Sequence, residues 1–441
     1  MRPTSLSVLF YALPAMASAI PTIPAYVLLP GFYGDTLGVG LAVTGAVLLA
    51  VRLIDVVTDP LIGWMSDRSG WRKIWVVLGA IIAGFGLWHL FSPPDDPDGF
   101  YLFVWASVLF LGWTLFQIPY LAWGAELSGD YRQRSTITAW REGCGLIGIL
   151  MAGAIPVMMM IDDRGAEIRM IGLVTLIAGV ITIGLLAWKV PDPYHLRRKP
   201  RTSVVRLPDF HSLMRNRLFV RLLSAWWVNG LANGLPAVCF PLFVRYYLQL
   251  DSAAENILIL LYFAVAILAI PVWVVMAGRF GKHRVWCGAM IMAIAAFVFV
   301  PLLGSGDMAA FAVICVVTGA ALGADLALPP AIQADVDDWD RYRFGGDRTA
   351  LLFALWNMAN KLAMGLAVGI AFPVLGALGL TTDITPTSTA LIVLVLIYAV
   401  IPVVLKTMAI VMMWRFPLDA GHQNAIRRRL SRRTVTLQGA S

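Results

Sequence analysis

Long apolar runs, broken at intervals by short polar clusters, dominate this chain. Twelve of them reach the roughly 20 residues that a helix needs to cross hydrocarbon, where only a helix satisfies its own backbone polar groups. In the first half the predicted spans lie near 5–29, 38–66, 74–91, 100–127, 135–160 and 169–190. In the second they lie near 217–248, 254–277, 285–303, 307–334, 350–378 and 386–414. Between them residues 191–216 are polar and carry Pro191, Pro193, Arg197, Arg198, Lys199 and Arg201, which reads as a linker. The pattern predicts an all-α membrane protein with twelve transmembrane helices. Its N-terminal six-helix bundle is expected over 1–190, the linker over 191–216, the C-terminal six-helix bundle over 217–414 and a basic tail over 415–441.

Composition removes the other classes. Apolar residues make up 59% of the chain and charged ones 14%, against about 45–50% and about 25% in soluble domains. A soluble enzyme, a coiled coil and a disordered chain are excluded. The net charge of +8 does not point to nucleic acid, because the bases fall in alternate loops. Arg68, Arg72 and Lys73 follow span 2, Arg132 and Arg134 follow span 4, and Arg279, Lys282 and Arg284 follow span 8. Arg341, Arg343 and Arg348 follow span 10. The opposite face carries the acidic loop 93–99 and only Arg164, Arg169 and Arg245 nearby. The positive-inside rule then predicts both termini and the linker in the cytoplasm, and the membrane expected is a bacterial-type inner membrane. The four Cys lie in apolar runs and the five His form no cluster, so neither a cofactor nor a bound metal centre is expected.

The halves repeat. Residues 66–75 (SDRSGWRKIW) match 277–286 (AGRFGKHRVW) at an offset of 211, pairing Arg68 with Arg279, Gly70 with Gly281 and Trp75 with Trp286. Pro119 and Pro330 stand at the same offset. Two pseudo-symmetric six-helix bundles are the plan of the major facilitator fold. The loop after span 2, with Gly63, Asp67, Arg68, Gly70, Arg72 and Lys73, resembles the signature of the major facilitator superfamily. That resemblance implies a cytoplasmic gate using Asp67, Arg68, Arg72 and Arg279.

Narrower motifs are RLIDVVTDPLIGW (52–64), IPYLAWGAEL in span 4, AWREG in span 5, QADVDDWDRYR after span 10 and NKLAMG in span 11. Over most of the chain they resemble the glycoside–pentoside–hexuronide:cation symporters, typified by the melibiose carrier. The same branch includes sodium-dependent lysolipid importers.

Charges inside spans cost about 2.5–3.5 kcal/mol or more at mid-bilayer, so each invites a role. Arg52, Asp55 and Asp59 share one face of span 2. Two carboxylates with one guanidinium leave negative excess, suited to Na⁺ or a proton, and Thr58 and Gln117 offer neutral oxygens. The resemblance implies that Asp55 and Asp59 form the cation site, as metal ligands if the ion is Na⁺. The other reading is that they only pair with Arg52, Arg141 or Lys361. Gln117 stands where the melibiose carrier has an acid, which leaves the choice between Na⁺ and H⁺ open.

By the same resemblance Arg141 and Lys361 lie near a central cavity, with Asn357 and Asn360 on the face of span 11 that carries Lys361. Tyr120, Trp123, Trp226, Trp227 and Trp356 are candidates to stack on a sugar ring, and Asn229 and Asn233 to hydrogen-bond. Asp325 falls in mid-span 10, where the melibiose carrier has no carboxylate. It is expected to receive substrate, relay a proton or pair with a neighbouring Arg. Ala19, Leu121 and Leu326 replace galactoside-site hallmarks, so a galactoside is not supported. Four prolines (14, 21, 24, 30) should bend or break span 1.

The reading that results is a monomeric cation-coupled secondary transporter of a sugar-like solute, working by alternating access in contact with membrane lipid. The alternative on the same fold carries a lysolipid. An intramembrane enzyme, the third possibility, conflicts with the duplicated loops.

Overall fold

A computed structural model describes residues 5–69, 71–127, 131–161, 163–192, 215–344, 349–380 and 386–418. Most of the linker and the basic tail therefore lie outside the described residues, as do the side chains of Asp67 and Arg68. Among the described residues there is no strand, and twelve helices are long and apolar enough to cross a membrane. The first six are Leu6–Thr36, Leu41–Gly63, Arg72–Phe91, Gly99–Gly124, Trp140–Met159 and Arg164–Lys189. The second six are Arg217–Tyr247, Ser252–Phe280, Lys282–Leu302, Met308–Phe344, Leu355–Ala377 and Ser388–Met413. They are spans 1 to 12 below.

Span 1 changes character where its prolines cluster. An α-helix over Ser5–Ala19 gives way to π-helical turns at Pro24–Leu28 and Phe32–Thr36. Span 7 ends the same way, in a π-helical turn at Phe243–Tyr247. The two terminal turns stand at the offset of 211 that relates the halves. They also close alike: the N–H of Leu37 reaches Phe32 O at 2.9 Å, and that of Leu248 reaches Phe243 O at 3.1 Å. The duplication thus extends to a backbone detail, at a place where Pro30, Phe32 and Leu37 also recur as Pro241, Phe243 and Leu248.

The chain packs as two units that cut across the two halves. One comprises 1–203, 237–260 and 365–394, and the other 204–236, 261–364 and 395–441. The first unit has a core around Tyr11, Phe116, Tyr120, Trp123 and Leu186. It also contains an apolar cavity of about 550 Å³ among spans 1, 3, 4 and 6, lined by Pro14, Ala17, Trp88, Trp113, Phe116 and Val180 among others. The second unit has a core around Leu222, Trp286, Leu328, Trp356 and Met413.

Glycines set the closest helix approaches, since apolar helices in lipid gain their contact by van der Waals fit. A Cβ on Gly112 of span 4 would lie 2.3 Å from the backbone nitrogen of Ala83 in span 3, whereas one on Gly179 of span 6 meets nothing within 4 Å. Gly112→Ala is therefore expected to cost about 1–3 kcal/mol by overpacking against a backbone that cannot step aside. Gly179→Ala should be neutral or slightly stabilising. Thermal unfolding of the two variants in detergent checks the contrast.

Candidate functional site

The charged face of span 2 lies in the first unit. Arg52, 6% exposed, donates from Nη1 to Asp55 Oδ2 at 3.0 Å, and Asp55 is 2% exposed. Its guanidinium also sits over the rings of Phe110 (3.5 Å to the centroid) and Tyr26 (4.6 Å). The aliphatic stem has room because residue 365 of span 11 is glycine, where a Cβ would stand 2.8 Å from Arg52 Cβ. A buried cation thus meets one carboxylate and two π faces, each a favourable partner in a low dielectric.

One turn on, Asp59 is half-buried and accepts the Thr114 hydroxyl of span 4 at 2.9 Å. Thr58 turns its hydroxyl back to Asp55 O at 3.4 Å, and half-buried Gln117 lies one helical turn from Thr114. The arrangement brings together carboxylate and hydroxyl oxygens of the kind a hard cation prefers. The pairing of Asp55 with Arg52 is among those expected from the sequence.

Thr114 has no place among the sequence expectations. A threonine in an apolar helix ordinarily bonds its own backbone, as Thr175, Thr182 and Thr318 do at 2.7–2.8 Å. Its one signal was the offset of 211, which makes it the counterpart of Asp325.

The proposed substrate residues fall in both units. Half-buried Arg141 donates to Glu142, its sequence neighbour, and hydrogen-bonds the Tyr11 hydroxyl. Tyr11 and Tyr120 bond each other's backbone carbonyls, at 2.9 and 2.5 Å, with rings stacked 4.8 Å apart. The tyrosine pair fits only because residue 124 is glycine, where a Cβ would fall 2.0 Å from the Tyr11 hydroxyl oxygen.

Tyr120 (1% exposed) and Trp123 (0%) are therefore corrected from ring-stacking candidates to core residues. The Trp123 indole N–H is used on Pro191 O at 3.2 Å. Trp226 and Trp356 stack on each other, 4.5 Å apart. Asn357 and Asn360 are exposed and Lys361 half-buried, all on span 11 within the second unit.

Asp325 needs a second correction: its carboxylate is enclosed, and its charged partner is a lysine, not an arginine. It accepts from Asn229 Nδ2 (3.1 Å) and Trp286 Nε1 (2.5 Å) on Oδ1, and from Asn233 Nδ2 (2.9 Å) on Oδ2. Lys406 of span 12 lies 3.8 Å from Oδ2 and donates to Asn229 Oδ1 (3.0 Å) and Asn233 Oδ1 (2.7 Å). Each asparagine, one helical turn apart on span 7, bridges the two charges with the two ends of its amide. Lys406 is 3% exposed and passed unnoticed in the sequence, masked by a hydrophobic span and a position near the chain's basic end.

At the loop after span 2, Arg72 is 2% exposed and donates to Ser66 Oγ at 2.7 Å, within its own turn. In the second copy Lys282 bonds Asp335 at 2.6 Å and Ala331 O at 3.1 Å, and Arg279 is exposed.

Three comparisons bear on this geometry. The family described as MFS/sugar transport protein matches residues 10–420. The sodium-dependent lysophosphatidylcholine symporter 1 of Mus musculus is 23% identical over 372 residues, covering 74% of this chain and 69% of that protein. A protein of Escherichia coli provisionally named glycoside/cation symporter YagG is 24% identical over 422 residues, covering 91% and 90%. The crystal structure of a D-xylose-proton symporter superposes with a TM-score of 0.64 at 13% identity, covering 94% of this chain and 96% of that one.

Twelve spans, a duplicated half and charges held at membrane depth define a multi-pass carrier of the major facilitator fold. The chain belongs to the MFS/sugar transport family. It is a membrane transporter and not an enzyme.

Proposed function

We propose that the chain is a cation-coupled symporter whose ion, Na⁺ or H⁺, is held at Asp55 and Asp59 with Thr58, Thr114 and Gln117 around it. The observation that carries this reading is Asp59, a carboxylate at span depth supported by the neutral Thr114 hydroxyl at 2.9 Å. An ion bound there neutralises charge that hydrocarbon penalises, and its release restores that charge. Arg141, Lys361 and Asn357 are the groups we assign to substrate. Asp67, Arg68, Arg72 and Arg279 serve the cytoplasmic gate of two rocking halves, 1–190 and 217–414, in a monomer with both termini inside a bacterial-type inner membrane.

The cargo we assign is a sugar-like solute, in line with a relative named for glycosides. A second reading, a lysolipid, is favoured by the 550 Å³ apolar cavity and by relatives named for lysophosphatidylcholine. Proteoliposomes loaded against a Na⁺ or a pH gradient, offered labelled glycosides or lysophosphatidylcholine, separate the two. Glycoside uptake that follows the gradient supports the first. Uptake of lysophosphatidylcholine alone moves the assignment to the second, and gradient-independent flux of both overturns the coupling.

A further inference from the structure

A second group of ionisable side chains lies away from span 2, in the first unit, where spans 6 and 8 begin. Arg164, the first residue of span 6, donates from Nη1 to Glu167 Oε2 at 2.9 Å and from Nη2 to Glu255 Oε2 of span 8. Glu167 is 1% exposed and Glu255 3%. In each the second oxygen, Oε1, is buried and has no hydrogen-bond partner.

The neighbours do not supply the missing positive charge. Asn256 hydrogen-bonds the Glu167 carboxylate but is neutral, and Arg245 of span 7 acts electrostatically on Glu255. Arg245 is already bound to Asp35 of span 1 at 2.7 Å, and Asp35 also accepts the Tyr246 hydroxyl. Asp163 caps span 6 through Ala166 N and faces Arg169 at 3.9 Å, while Asp251 caps span 8 through Ala254 N. The three carboxylates (Asp35, Glu167, Glu255) are buried and meet two guanidinium ions, Arg164 and the exposed Arg245, which leaves one negative charge over.

A buried, uncompensated carboxylate is costly, and two carboxylates that share a site relieve each other by sharing a proton. We propose that Glu167 and Glu255 together hold one proton on their free Oε1 atoms. Hydronium in the water at the face where spans 6 and 8 begin breaks one O–H bond to give up the proton and becomes water, and a new O–H bond forms on one carboxylate. Return of the proton to water breaks that bond and leaves both carboxylates ionised on a single Arg164. Glu167 belongs to the first half of the duplicated chain and Glu255 to the second, so the proton joins the two halves at this face, and its loss drives them apart. The site shares no residue with the ion site on span 2 and does not depend on it.

The test uses the full chain in lipid nanodiscs with nitroxide labels at Asp96→Cys and Ala253→Cys, both exposed positions, and reads their distance by pulsed electron resonance. The four native cysteines are buried and leave the labelling selective. A single short distance is expected at about pH 5, and a severalfold larger long-distance population at about pH 9, on either side of the range a coupled carboxyl pair spans. Glu255→Gln, and independently Glu167→Gln, should hold the short distance at both pH values, because a neutral amide stands in for the protonated carboxyl. The proposal is overturned if the parent shows one distribution at both pH values, or if the folded Gln variants follow pH as the parent does. Closure at high pH on adding Na⁺ would also overturn it, since the occupant would then be a metal cation.

Discussion

Asp59→Asn is expected to reduce ion-driven, concentrative uptake by more than about 100-fold, beyond the range seen when a mere supporting partner of a bound ion is lost. The side chain keeps its size and still meets the Thr114 hydroxyl, so folding and exchange of substrate across a membrane without a gradient should survive. What disappears is the negative charge that the ion cancels. Asp55 lies 3.0 Å from Arg52, which is itself held by two aromatic rings. Thr114→Val should produce a smaller effect of the same kind, a weaker ion affinity with uptake retained at high ion concentration. Uptake of radiolabelled Na⁺, and of protons followed by a pH-sensitive dye, into proteoliposomes carrying each variant measures both. Concentrative uptake by Asp59→Asn at the parent's rate would remove Asp59 from the coupling role.

The second large effect concerns stability. Asp325→Asn and Lys406→Met each leave one buried charge without its partner, which costs about 3–5 kcal/mol. The two asparagines cannot compensate, because each amide is already committed at both ends, donating to Asp325 and accepting from Lys406. The double variant Asp325→Asn with Lys406→Met removes both charges and should regain most of the loss, a coupling that a double-mutant cycle reads directly. Thermal unfolding in detergent is the measurement. Additive losses would mean that the pair does not act as one. If the double variant folds and transports, Asp325 is a positioning residue; if it folds and loses transport, the charges themselves take part in the cycle.

Much of this protein was legible along its sequence. Lipid makes the same demand of every spanning segment, about 20 apolar residues with all backbone groups bonded internally, and that demand is met within each segment. The spans, the repeat at offset 211 and the charges at depth could therefore be read one segment at a time. Span ends were less legible: span 1 runs to Thr36 rather than to residue 29, because π-helical turns carry it past its prolines. Arg52, Asp55 and Asp59 fell on one face by helical periodicity alone, and their identities pointed to the cation site we propose.

Partners were a different matter, since they depend on which faces meet, and no single helix contains that information. Trp123 and Tyr120 looked like sugar platforms until their neighbours enclosed them. For Asp325 substrate, a proton and a neighbouring arginine were all open partners, and the one that came within 3.8 Å was Lys406, 81 residues on. Glu167 and Glu255 looked unremarkable, because charged residues at helix ends normally sit in water. Packing against other spans took that water away and turned two ordinary carboxylates into a buried pair on one arginine. Hydropathy and periodicity are local properties and were decided residue by residue; desolvation and pairing are collective, and only the tertiary structure decided them.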